Sequence, residues 1–223
     1  LRDYPNAMTE NTAALLVAHH SNYKIIGFTS EPTLAELAEL AHEHNLLLLY
    51  DQGSGALLDS SPYGLEPEPT VLDGLAAGAD VVAFSGDKLM GGPQAGLLVG
   101  RQATIAQLKQ HPLARAVRAD KLCLAGMAAT LTHYLTENAL TEIPIWRMIA
   151  RPVAEIGEEA DTWAARLQER GIRAEVVDGR STVGGGSLPG TSLPSRLVAI
   201  HHTDLEQLAT RLRQEKIPVI GRI

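Results

Sequence analysis

Val81-Val82-Ala83-Phe84-Ser85-Gly86-Asp87-Lys88-Leu89-Met90-Gly91-Gly92-Pro93 runs an apolar segment straight into a glycine-rich turn that carries a lysine. The apolar run reads as a strand from Ala79 to Phe84, and Gly91-Gly92-Pro93 breaks the chain before a second strand, Ala95 to Val99. Working backwards, Leu46 to Tyr50 is a five-residue apolar run ending on Asp51, the pattern of a parallel strand buried on both faces. Thr12 to Ala18 is a similar run that ends in His19-His20-Ser21-Asn22. Helices fall between these strands. Thr33 opens one after Pro32, with Glu36 at the capping-box position and Leu34, Leu37, Ala38 and Ala41 at helical spacing. Thr70 to Gly78 and Gln102 to Gln110 are the next two. Buried strands alternating with amphipathic helices predict an α/β layer on a mostly parallel sheet.

Beyond this layer the pattern changes. Ala119 to Thr136 reads as a connecting helix, and Pro152 to Arg170 as another, closed by Gly171. Ile172 to Val177 is a strand, Gly179 to Ser195 is rich in Gly, Ser and Pro, and Leu197 to His201 is a strand. Asp204 caps a helix to Gln214, and Pro218 opens a last strand. These elements predict a small C-terminal α+β domain. The expected division is residues 1–145, a large α/β domain with its connecting helix, and residues 146–223, the small domain.

Composition narrows the class. The chain has 223 residues, 45% hydrophobic and 20% charged, which excludes a disordered chain. No apolar run reaches the roughly 18 residues of a membrane span. The single cysteine, Cys123, excludes an internal disulfide and a multi-cysteine zinc site, and a reducing cytoplasm is the expected location. Nineteen Lys and Arg against 26 Asp and Glu give a net charge of −7, a poor balance for a general nucleic-acid coat. Basic residues gather modestly between Arg101 and Lys121. The chain opens on Leu1 and ends in a strand-like Ile217 to Ile223, so a piece of a longer protein is expected.

In an open α/β sheet ligands sit at the carboxyl ends of the strands. Two such ends carry ionisable groups, Asp51 and, just past Phe84, Lys88. Glycines flank Lys88, so backbone can approach a ligand there closely. A desolvated lysine is a nucleophile toward carbonyls. A carboxylate on the neighbouring strand end is what a pyridoxal phosphate site needs at its ring nitrogen, and Ser85 offers a hydroxyl to the cofactor phosphate. The plainer reading is an N-cap aspartate and a solvated lysine. The turn lacks the spacing of a P-loop, and no dinucleotide fingerprint follows a strand. Among the other residues, His19 and His20 read as loop or packing groups and Cys123 as a buried thiol. Trp146 and Trp163 read as packing residues, Tyr23 is open, and His201-His202 lacks the partners of a metal site.

Phe84 to Gly96 resembles the signature around the cofactor lysine of the bacterial selenocysteine synthases, the L-seryl-tRNA(Sec) selenium transferases. Asp51-Gln52-Gly53-Ser54-Gly55 resembles their pyridine-nitrogen aspartate motif, and Leu113 to Lys121 their arginine-bearing segment. Ser21-Asn22-Tyr23 and Gly184-Gly185-Gly186-Ser187-Leu188-Pro189 fit as well, so the resemblance spans essentially the whole chain. It implies a fold type I pyridoxal phosphate enzyme in which Lys88 carries the Schiff base, Asp51 meets the pyridinium and Asp87 lies beside the reacting centre. Arg115 and Arg118 would bind selenophosphate; three residues apart, two guanidinium forks share one helix face if the segment is helical. The implied reaction converts seryl-tRNA(Sec) to selenocysteinyl-tRNA(Sec) by loss of water and addition of selenium. The resemblance also implies a ring of dimers, with tRNA recognised mainly by an amino-terminal part that this chain lacks. A related lyase on a small amino acid or amino sugar acid is the alternative, and a non-catalytic module on the same fold is the third reading.

Overall fold

The computed structural model describes residues 1–23, 25, 27–184 and 186–222. A short helix, α1 (Asp3–Ala7), precedes β1 (Ala14–Ala18). Helix α2 (Leu34–Glu43) begins where its sequence says it should. Thr33 Oγ1 accepts the Glu36 N–H, and Glu36 Oε2 accepts the Thr33 N–H at 2.7 Å. Its Leu37, Ala38, Leu40 and Ala41 are buried on one face. Strand β2 (Leu47–Gly53) follows, then α3 (Val71–Ala76), started by the same reciprocal box between Thr70 and Asp73, and β3 (Val81–Ser85). Strand β4 (Gly96–Gly100) completes a sheet of order β1-β2-β3-β4.

The first two pairings are parallel, with Leu16 opposite Leu49 and Tyr50 opposite Val82. The third is antiparallel, with Val82 opposite Val99. Residues 86–95 are the reason: a parallel return needs a crossover of about a dozen residues or more, and this connection is too short. The sheet is therefore mostly parallel, as expected, with one antiparallel strand beside the lysine turn. Leu37, Leu48, Val82 and Phe84 lie in the main core, between helix and sheet.

Asp80 ties three elements together from a fully buried position. Its Oδ2 accepts the Leu48 N–H at 2.8 Å and lies 3.0 Å from His42 Nε2, while Arg101 Nε is 3.1 Å from Oδ1. Burial alone would raise its pKa. The Leu48 N–H, His42 and Arg101 outweigh that and hold the carboxyl below its usual range. Its stabilising effect is therefore present above the ordinary carboxylate pKa and is lost as pH falls through the depressed one. Asp80→Ala leaves the Leu48 N–H unpaired, and we expect a loss of about 1–3 kcal/mol, read from the denaturant midpoint.

Helices α4 (Gln102–Gln110), α5 (Pro112–Ala116), α6 (Lys121–Leu135), α7 (Ala139–Glu142) and α8 (Pro144–Ala150) continue the chain. A second apolar cluster gathers Ala56, Leu65, Leu89, Ile143, Trp146 and Leu188. Two compact units result: residues 1–150 with 182–193, and residues 151–181 with 194–223. The second unit holds α9 (Val153–Glu169), most of the pair β5 (Ala174–Thr182) and β6 (Ser192–Ile200), and α10 (Leu205–Gln214), capped by Asp204 Oδ1 on the Gln207 N–H.

Several expectations are corrected. The β5–β6 pair runs into the Gly- and Pro-rich stretch, because Gly179 leaves room for Leu197: a Cβ there would meet its Cγ at 2.5 Å. Pro218 opens no strand among the described residues, since no neighbouring edge pairs with it. Cys123 is half-buried rather than buried, and its neighbours Leu122 and Leu124 are exposed. Helix α6 is apolar around its circumference, so apolar neighbours do not report which side faces inward. Trp146 is fully buried as expected, but Trp163 is exposed, with the Arg166 guanidinium 5.7 Å from its ring.

Candidate active site

The carboxyl ends of β2 and β3 are knitted together by backbone. Asp51 pairs with Ala83 and Gly53 with Phe84, so Gln52 is an extra residue that bulges the strand. Its side chain is fully buried and fully used. Nε2 donates to Pro69 O at 2.8 Å and to Ser54 Oγ, and Oε1 accepts the Gly55 N–H at 2.7 Å. The loop so held reaches the lysine turn, where the Leu89 N–H donates to Ser54 O at 2.9 Å. Gly55, at φ +70°, lies so close to β3 that a Cβ would stand 2.2 Å from Ser85 O.

The turn has its own supports. Gly91 N–H donates to Lys88 O, Gly92 N–H to Gly86 O and Gly86 N–H to Ala95 O. Behind it, Tyr134 donates its hydroxyl to Met90 O at 2.9 Å and accepts from Trp146 Nε1 at 2.8 Å. Burial pushes the Tyr134 pKa up to about 12. Its neutral form thus stabilises the fold below pH 10, and that contribution is lost as pH rises from 10 through 12. Tyr134→Phe leaves the buried indole N–H without its acceptor. A cost of about 1–3 kcal/mol is expected in chemical denaturation.

Lys88 is half-buried in a cleft of about 340 Å³, together with Asp87, Gly91, Ile145, Gly184 and Ser187. Lys88 and Asp87 are thus brought into one cleft. Asp51 and Ser85 stand on the adjacent strand ends; Asp51 is exposed and Ser85 half-buried. His19 belongs to the same end of the sheet, its N–H donating to Asp51 O at 2.8 Å. Its Nε2 lies 3.2 Å from Oε1 of the buried Glu68, in a neighbouring cleft of about 400 Å³. The His20 and Tyr23 rings meet there at 4.6 Å. Among the described residues no group of three or more His, Cys, Asp or Glu is arranged for a metal, and no helix is long and apolar enough to cross a membrane.

The arginine segment departs from its expected geometry. Arg115 sits on α5, but that helix ends at Ala116, so Arg118 lies beyond it and the shared helix face does not exist. Pro112 and the His111 ring, which accepts the Leu113 N–H, start a helix of a single turn and a half. Both arginines are exposed and line neither cleft. Sequence reasoning also passed over Gln52, Glu68 and the Tyr134–Trp146 pair, none of which has a local signature.

The chain matches the family model described as SelA, L-seryl-tRNA selenium transferase, over residues 1–223. It is 46% identical over 225 residues to the L-seryl-tRNA(Sec) selenium transferase of Carboxydothermus hydrogenoformans, covering 99% of this chain and 48% of that one. To the protein of the same name from Salmonella enteritidis PT4 it is 48% identical over 231 residues, covering 100% and 50%. The chain thus spans about half the length of the curated relatives it matches. Among solved structures it is similar to D-glucosaminate-6-phosphate ammonia-lyase, with a TM-score of 0.58 at 20% identity over 97% of this chain and 50% of that one, a likeness of fold. With this fold and this match along its whole length, the chain belongs to the L-seryl-tRNA selenium transferase family.

Proposed function

We propose that this chain is the lysine-bearing part of a pyridoxal phosphate-dependent enzyme that converts seryl-tRNA(Sec) to selenocysteinyl-tRNA(Sec) with selenophosphate. It acts in the cytoplasm and in a homo-oligomer, a ring of dimers. The observation that carries this reading is the family match over all 223 residues. In the same proposal, residues 1–145 are the cofactor-binding part and 146–223 the small domain.

The residues present fit the cofactor. Lys88 projects into a cleft walled by glycine, and Gly186 would crowd it if it carried a Cβ, which would stand 3.0 Å from Lys88 Cε. The buried Ser187 hydroxyl in that wall has no partner among the described residues. Pyridoxal phosphate, when bound, supplies an electron sink for the pair left on the serine Cα. Lys88 Nζ holds the cofactor covalently and, once released, carries the proton taken from Cα. The Asp51 carboxylate holds the ring nitrogen protonated. Ser85 donates to the phosphate, and Asp87 stands at the mouth of the cleft beside the reacting groups. Arg115 and Arg118, exposed and therefore free to turn, grip the selenophosphate anion.

Turnover of the full-length protein on seryl-tRNA(Sec) against free amino acids and amino sugar acids tests the reading. Selenium incorporation that requires the charged tRNA is the expected result. Elimination from a free amino acid with indifference to tRNA would replace it with the lyase reading.

A further inference from the structure

Residues 186–188 bring three observations together beside Lys88, within one compact unit. Ser187 is buried in the wall of the lysine cleft, and its Oγ has no hydrogen-bond partner among the described residues. An unpaired buried hydroxyl weakens a fold, so a serine here is not explained by packing. Leu188, the next residue, sits at φ +52°, a region that a bulky side chain rarely occupies. Its side chain is nonetheless buried in the apolar cluster that also holds Leu89, the neighbour of Lys88. On the other side, Gly186 at φ +90° faces the lysine itself: a Cβ there would stand 3.0 Å from Lys88 Cε and 3.6 Å from Nζ. The lysine's amine end therefore rests against the residue that precedes Ser187. Backbone held in a costly conformation to present an unpaired group at a reacting amine is a functional arrangement.

We propose that Ser187 is a positioning residue for Lys88, its hydroxyl holding the lysine nitrogen at the Gly186 side of the cleft whenever that nitrogen is free. A hydroxyl suits the task because it both donates and accepts. It accepts from the ammonium and donates to the neutral amine, so the nitrogen keeps one partner through a proton transfer. A carboxylate would serve only the ammonium. The lysine chain reaches Ser187 by changing rotamer, and glycine at 186 leaves its path clear. This inference rests on the reading of Lys88 as the reacting amine.

The test uses the full-length protein as wild type, Ser187→Ala and Ser187→Thr. Without cofactor, reductive methylation of Lys88 by formaldehyde is followed against pH by peptide mass. With cofactor and seryl-tRNA, kcat and KM are measured, and melting temperatures are recorded for all three. Ser187→Ala should not lower the melting temperature, because it removes an unpaired group. It should change the Lys88 methylation rate at neutral pH by threefold or more. It should also lower kcat about ten- to a hundredfold with KM within about twofold, the cost of a misplaced reacting group. Ser187→Thr, which keeps the hydroxyl, should retain most of both. Methylation and kcat unchanged in Ser187→Ala would overturn the proposal, as would equal losses in both variants accompanied by a lower melting temperature. The methylation arm needs no cofactor. Failure of Lys88 to bind cofactor in the wild type would therefore remove the parent reading separately.

Discussion

Lys88→Ala should abolish turnover, at least about a thousandfold down, while leaving the fold in place. The side chain is half-buried in an open cleft, and the turn that carries it is held by others: the Gly91, Gly92 and Gly86 N–H groups, the Leu89 N–H on Ser54 O, and Tyr134 on Met90 O. Truncation at 88 touches none of these, so stability should stay within about 0.5 kcal/mol of wild type. Lys88→Arg should be as inactive as Lys88→Ala. A guanidinium keeps the charge but is neither deprotonated nor a nucleophile at neutral pH. Steady-state turnover beside a denaturation curve for each variant separates loss of chemistry from loss of fold. Activity retained in Lys88→Arg would show that charge alone is needed at 88.

The second large effect is at a residue with no chemistry. Gly55→Ala should cost about 2–5 kcal/mol and take activity with it. One part is conformational, since φ +70° costs an L-residue about 1–2 kcal/mol. The other is steric. A Cβ would lie 2.2 Å from Ser85 O, a backbone atom at the end of β3 that has no rotamer to yield. Relief requires the loop after β2 to move away from the lysine turn, an overpacking cost of about 1–3 kcal/mol. It would stretch the Leu89–Ser54 hydrogen bond and the Gln52 contacts that hold the loop. Asp51 and Lys88 would then separate, and cofactor affinity should fall even where the protein still folds. A denaturant titration and a cofactor titration of the same variant measure the two parts. A variant as stable as wild type would mean that β2 and β3 tolerate a wider gap than their backbone contacts imply.

The parts of this architecture that were legible in the sequence are those written locally. Thr33 with Glu36, and the runs ending at Asp51 and Phe84, mark elements through neighbours within a few residues, and they place Asp51 and Lys88 at adjacent strand ends. The direction of β4 was implicit in the length of 86–95 but not in the composition of either strand. What was not legible depends on distant partners. Tyr134 meets Met90 across 44 residues, Gln52 meets Pro69, and Glu68 meets His19, and no spacing rule announces any of them. The arginines show the opposite failure. Three-residue spacing put Arg115 and Arg118 on one helix face, but α5 stops between them, because helix spacing says nothing about where a short helix ends. Cys123 and Trp163 fail for a third reason: side chains on a helix with apolar residues on several sides do not say which side is covered.

The central claim is that Lys88 is the residue that holds the cofactor. The most direct measurement incubates the full-length protein with pyridoxal phosphate, reduces it with borohydride and maps the modified peptide by mass. The account predicts one pyridoxyl group on Lys88, absent from Lys88→Ala. A folded, cofactor-saturated sample with Lys88 unmodified would contradict it and leave the family's fold without the chemistry assigned to this turn.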